Sequence, residues 1–221
     1  MTKARKPANA SPSSRANPSA AALSPPQLSD VILDLVLSVP SSRERMRMQP
    51  EERAHSVARS ASRKASVISG SLSLPPGLLG WVTVVPELVG VWRVQAQMVS
   101  DIAAVYGKRQ GLGREQMLYC LFKHMSAQMF RDVVVRVGER VIVRETSMQF
   151  LQTAAKKVGV VVTRAVIRKG AARFVPLLGA VTVGAYAYFD TMQVAKTAME
   201  LFAQDIVLDG SSVIDVTSIE A

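Results

Sequence analysis

Cys120 and His124 stand four residues apart, the spacing that puts two side chains on one face of a helix, within reach of a shared metal ion or of each other. A thiol beside an imidazole is also the smallest arrangement for nucleophilic catalysis. The chain holds one cysteine and two histidines, so a zinc site or a Cys–His pair would consume almost that whole inventory. Leu118, Leu121, Phe122 and Met125 flank the pair and assign Cys120 to a core as a small apolar residue. No GxxxxGK loop, nucleophile elbow, HExxH or CxxC pair occurs. The expectation is a protein without catalytic residues, metal or cofactor.

Carboxylates offer the remaining chemistry. Glu87, Asp101, Asp190 and Glu200 fall on the two most apolar helical segments. Glu87 and Asp101 lie roughly 21 Å apart along one helix, so an acid–base pair would need a partner from another. A carboxylate-dependent hydrolase is the enzymatic alternative on these grounds. Steps of three and four place Gly179, Thr182, Tyr186, Asp190, Gln193, Thr197, Glu200 and Gln204 on one face of the later segment. Leu178, Val181, Ala185, Phe189 and Met192 fall on the opposite faces. The earlier segment carries a comparable stripe in Thr83, Glu87, Gly90, Gln97 and Asp101. Either each stripe is a solvated face, or the two meet as an internal polar seam of Glu87, Gln97, Asp101, Tyr186, Asp190, Gln193 and Glu200, with Arg93 or a tyrosine as partner.

The formal net charge is +10 and the isoelectric point about 10.2, which favours an anionic partner. The cations concentrate at Arg53, Arg59, Arg63 and Lys64, then at Lys156, Lys157, Arg164, Arg168, Lys169 and Arg173. No acid occurs between Glu145 and Asp190, so the second group forms a cationic belt just before the last apolar segment. Nucleic acid is disfavoured: aromatic residues make up 5% of the chain, and none is interleaved with the basic run from 41 to 64 as a stacking platform requires. Anionic lipid headgroups fit better. A hydrophobic content of 48% alongside 20% charged residues points the same way.

The elements that must position these residues read as helices. Residues 1–29 are basic, rich in Pro, Ser and Ala and without an acid, which predicts a disordered tail and no secretory leader. The single cysteine suits a reducing compartment. The core domain is expected over 30–205, opening with a short helix capped at Ser29-Asp30. Pro50, Glu51 and Glu52 start a basic amphipathic helix to about 69, with Ala54, Val57, Ala61, Ala65 and Ile68 on its apolar side. Ala65 to Pro86 carry no charge over 22 residues, but Pro75-Pro76-Gly77 breaks the run into two helices. The second is expected over about 78–106, ending at Gly107. Residues 131–145 read as helix or as β-hairpin, and helix is preferred here. A last long helix is expected over about 176–204, and 206–221 as a flexible acidic tail. The uncharged stretch between Arg173 and Asp190 would reach about 24 Å against a hydrocarbon core of about 30 Å, too short for a plain span. The fold class is all-α, a multi-helix bundle with two long apolar helices.

Three stretches carry a family resemblance: LPPGLLG from Leu74, QAQMVSDIAAVYG from Gln95, and FVPLLGAVTVGAYAYFDTMQVAKTAMELF from Phe174. Together they resemble the EcsC family, bacterial membrane-associated proteins of unestablished activity often encoded beside an ABC transporter. The resemblance covers roughly residues 50–205 and implies a helical domain at the cytoplasmic face of a bacterial inner membrane, with a membrane protein such as an ABC transporter as possible partner. It carries no catalytic set. The resulting expectation is a non-enzymatic accessory protein for transport, secretion or envelope maintenance, with a lipid- or apolar-ligand-binding module as the other non-enzymatic reading.

Overall fold

In the computed structural model, residues 25–72, 84–125, 130, 133–137, 140–169 and 176–214 are described. The Pro75-Pro76-Gly77 corner, the chain up to residue 24, Arg173 and residues 215–221 lie outside that set. The described chain is mostly helical, with six α-helices and a small three-stranded sheet. None of its helices is long and apolar enough to cross a membrane.

Helix α1 spans Pro25–Leu37. Two prolines open it, where their missing N–H groups cost nothing, and Leu28, Ile32 and Val36 at steps of four are buried against the rest of the domain. The helix thus starts before the expected boundary at residue 30, because Leu28 has core to fill. Deleting residues 1–29 is therefore expected to lower the melting temperature, since it removes a fully buried leucine whose truncation alone costs about 2–5 kcal/mol. A thermal melt of the shortened chain checks this; an unchanged midpoint would return the boundary to residue 30.

Helix α2 (Pro50–Leu72) carries Glu51 and Glu52 in its first turn, where they favour the positive end of the helix dipole. Ala54, Val57, Ala58, Ala61 and Ala65 are buried along its length. So small a face lets two neighbours approach closely: α3 (Val84–Val105) and α6 (Pro176–Phe202) both pack on it. A Cβ on Gly184 of α6 would lie 3.1 Å from the Ser66 carbonyl oxygen, and one on Gly90 of α3 would lie 3.1 Å from Ile68 Cγ2. These contacts set the last two turns of α2 beside the start of both neighbours, so α2 runs antiparallel to α3 and α6. Pro86 sits in the first turn of α3, where it breaks no intrahelical bond.

Helix α3 ends at Gly107, whose φ of 74° is the left-handed conformation that glycine adopts without strain. Gly107 N donates to Ala104 O at 3.0 Å and Lys108 N to Ala103 O at 2.8 Å, the paired bonds of a Schellman cap. After a single 3₁₀ turn at Arg109–Gly111, α4 (Arg114–Phe122) begins with the Gly113 N–H donating to Gln116 Oε1 at 2.9 Å. Helix α4 packs on α3 and α6, and α5 (Met148–Lys169) packs on α1. Their common core is filled by Phe122, Phe130, Phe150 and Phe202, with the Phe122 ring edge-on to Trp92 at 5.6 Å.

The described residues within 131–145 form no helix. Val134–Val137 forms β1 and Arg140–Thr146 forms β2, paired antiparallel from Val134 with Val143 to Val137 with Arg140. The β-branched residues of VVRV and RVIVRET lose χ1 freedom in a helix and fit a pleated surface, and this local preference prevails over the helical surroundings. Residues Asp205–Ile214, expected as the start of a flexible tail, form β3, which lies parallel to β2. The register sets Arg140 opposite Asp205 and Arg144 opposite Asp209.

Candidate functional site

The expected polar seam divides into three places. Asp190 points inward from α6: its Oδ2 accepts from Gln95 Nε2 at 2.8 Å, and its Oδ1 lies 2.9 Å from His124 Nε2 just after α4. Gln95 Nε2 also lies 3.2 Å from the Thr191 hydroxyl. Asp190 therefore joins α6 to α3 and to the end of α4 with a side chain only 17% exposed. Its α3 partner is Gln95, which the stripe of Glu87, Gln97 and Asp101 left out. Gln95 lies off that stripe because it faces α6, whereas the stripe faces elsewhere.

Glu87, buried in the first turn of α3, accepts from Ser69 Oγ of α2. Asp101 near the other end of α3 accepts from Ser42 Oγ at 2.6 Å and from Gln97 Nε2 at 3.0 Å, while Gln97 also donates to the Ser41 carbonyl. Arg109 completes this corner by donating to the carbonyls of Ser42 and Glu44 at 2.6 and 2.7 Å. These bonds tie the irregular segment between α1 and α2 onto α3. On the far part of α6, Gln193 is exposed and Glu200 forms open surface pairs with Lys123 at 3.7 Å and Lys196 at 3.9 Å. Glu87, Asp101 and Asp190 are thus held by different partners at separate places. The arrangement fastens elements to one another, and no two of these carboxylates share a pair of the kind acid–base catalysis uses.

Asp190→Leu leaves the buried Gln95 amide with Thr191 as its remaining acceptor and strips His124 of its partner. Loss of about 1–3 kcal/mol of stability is expected, with Asp190→Asn closer to the wild type because it keeps an acceptor for Gln95. Urea unfolding of the two variants reads this, and equal midpoints for Asp190→Leu and the wild type would make Asp190 a surface residue in energetic terms.

Cys120 is fully buried, and burial pushes its thiol well above the ordinary range, so it stays protonated and packs as a core residue. His124 is committed to Asp190. Among the described residues no three His, Cys, Asp or Glu side chains gather as a metal ion requires. Tyr186 is exposed, and its phenol is pushed above its usual value first by loss of water on its packed side and then by the Asp190 carboxylate one turn on.

No family model, curated protein or solved structure matches this chain. Arg53, Arg59, Arg63 and Lys64 on α2 and Lys156, Lys157 and Arg164 on α5 are all exposed. Arg53 is paired with Glu44 at 2.5 Å, which holds the Glu44 carboxyl below its ordinary value. Arg168 and Lys169 lie in the last turn of α5.

What the periodicity did not disclose is the placement of apolar residues on this surface. Val181, Ala185 and Phe189, which fall opposite the polar stripe, are exposed, with Val181 at 72% and Phe189 at 66%. The inner face of this half of α6 is instead made of Gly184, Ala187 and Thr191, which are small enough for the close approach of α2. Val67 on the last turns of α2 is 69% exposed and lines the same open groove as Val181, Ala185 and Phe189. Along the outside of α2 the exposed residues pass from Glu51 and Glu52, through Arg59, Arg63 and Lys64, to Val67. Along α6, in the opposite chain direction, they pass from Lys196 and Gln193 to Phe189, Ala185 and Val181. The two helices share one apolar end.

Proposed function

We propose that this chain is a non-enzymatic, membrane-associated helical protein that docks end-on and shallowly on an anionic bilayer through the common end of α2 and α6. The observation that carries the reading is the exposed apolar set Val67, Val181, Ala185 and Phe189, adjoining the exposed cations Arg59, Arg63 and Lys64 on the same helix as Val67. Water disfavours such a patch, whereas the upper acyl region would accept it; burying each large side chain is worth roughly 1.5–3 kcal/mol. The cations would then stand at the depth of the headgroups, each contributing on the order of 1 kcal/mol on an anionic surface. Val181 to Phe189 covers about 12 Å of helix, enough to enter one leaflet and far short of spanning two. Tyr186 and Tyr188 suit the interface between the two layers. The groove is open along its length, which favours a bilayer over one apolar molecule enclosed on most sides.

The EcsC-like character of the chain, its place at the cytoplasmic face of a bacterial inner membrane and an accessory role in transport, secretion or envelope maintenance belong to the same proposal and rest on the three sequence stretches. An ABC transporter as partner rests on them alone.

Flotation of the full-length protein with vesicles tests the reading. Binding to vesicles containing an anionic phospholipid, weakening as salt rises but persisting in part through the apolar end, is the expected result. Recovery of all the protein in the unfloated fraction with every vesicle composition would overturn it.

A further inference from the structure

A second groove runs between α2 and α3, lined by the apolar side chains of Val57, Ala61, Val94 and Met98 and by charged groups along its length. Its volume of about 520 Å³ is ample for a small phosphate ester. The charges at its two ends differ in how they are satisfied. Toward the start of α2, Glu44 is paired with Arg53, and Asp101 is bonded to Ser42 and Gln97. Toward the other end, Lys64 of α2 and Arg93 of α3 line the same groove, and neither takes part in an ion pair among the described residues. Ser60, one turn before Lys64, adds a hydroxyl to this end.

Two cations from different helices that line one groove with no acid paired to either leave positive charge at that end, and an anion between them would gain two attractive contacts. We propose that Lys64 and Arg93, with the Ser60 hydroxyl, form a binding site for a phosphate ester. Arginine offers a fork of donors that matches phosphate oxygens, lysine a point charge, and serine a short donor. The apolar residues of the groove would take the carbon part of the ligand, and the committed acids at the far end would limit its length.

The bilayer reading above supplies the source of the ligand. Lys64 precedes Val67 by less than one helical turn, about 4.5 Å along the axis. With Val67 in the acyl region, Lys64 and Arg93 come to the level of the phosphates, and the ligand is the headgroup of an anionic phospholipid.

Glycerol phosphate titrated into the full-length protein by calorimetry, together with flotation on vesicles of phosphatidylglycerol in phosphatidylcholine, separates the possibilities. Saturable glycerol phosphate binding is expected, at least about tenfold weaker in Lys64→Ala/Arg93→Ala and within twofold of wild type in Arg43→Ala/Arg45→Ala, which removes the same charge at two exposed positions outside the groove. Lys64→Gln/Arg93→Gln, keeping more of the side-chain bulk, should match the first double variant. Equal losses in the groove and control variants would overturn the site and leave only diffuse attraction. Absence of saturable binding with flotation intact also overturns it, while sparing the bilayer reading. Saturable binding without flotation supports a site for a free phosphate ester and overturns the bilayer reading.

Discussion

Val181→Asp combined with Phe189→Asp is expected to weaken vesicle binding by more than about a hundredfold, because two apolar contacts with the acyl region are exchanged for two charges that resist leaving water. Both side chains are more than half exposed, so the fold should tolerate the change. The control is Gln193→Asp with Ala203→Asp, two exposed positions, one farther along α6 and one just past its end. It adds the same negative charge at the end turned away from the bilayer and should cost only a few-fold. Flotation on anionic vesicles, with circular dichroism to confirm helix content, gives both numbers. Similar losses in the two double variants would mean that net charge alone governs attachment and that the apolar end has no part in it.

The largest effect on stability is expected from Phe122→Ala. Phe122 closes α4, is fully buried, and meets Trp92 of α3 edge-on at an interplanar angle of 83°. Removing the ring leaves a cavity between helices that other contacts hold in place, and losses of about 3–5 kcal/mol are typical at such sites. Phe122→Leu should recover more than half of that by refilling the space. Denaturant midpoints of the two variants measure the difference, and a loss below about 1 kcal/mol for alanine would show that α4 can collapse onto α3.

The sequence foretold the parts of the fold whose signals are local. Pro50 with two glutamates behind it marks the start of α2, and Gly107 marks the end of α3 through a left-handed conformation that glycine adopts more readily than other residues. The alanine face of α2 was legible from its spacing. What it meant was not: a face of small residues can signal a weakly amphipathic surface helix or, as here, a helix approached closely from two sides. The same holds for α6. Periodicity separates faces without saying which is inside: Phe189 and Val181 lie outside, because Gly184 and Ala187 contribute little hydrophobicity yet permit the closest packing.

The site residues show the same division. Asp190 stood out as an acid in an apolar segment, and the structure places it between α3, α4 and α6. Gln95, its partner, carried no signal, since a single glutamine between Val94 and Ala96 looks like any surface amide. The pairing of β2 with β3 joins residues as far apart in sequence as Arg140 and Asp205, a distance at which no local pattern operates. Glu115 is a further example: its carboxylate accepts from the Thr146 hydroxyl at 3.2 Å and fixes the end of β2 to α4, a contact that only the folded chain brings about.

Depth-dependent fluorescence tests the central claim most directly. Single cysteines at Val67, Val181, Phe189, Gln193, Lys196 and Ala203, each carrying an environment-sensitive dye, would be read on anionic vesicles. The buried native Cys120 stays unlabelled in the folded protein. Blue-shifted emission at 67, 181 and 189, with little change at 193, 196 and 203, is the predicted pattern. Uniform emission at all six positions on bound protein, or a shift confined to 196 and 203, would contradict docking through the common end of α2 and α6.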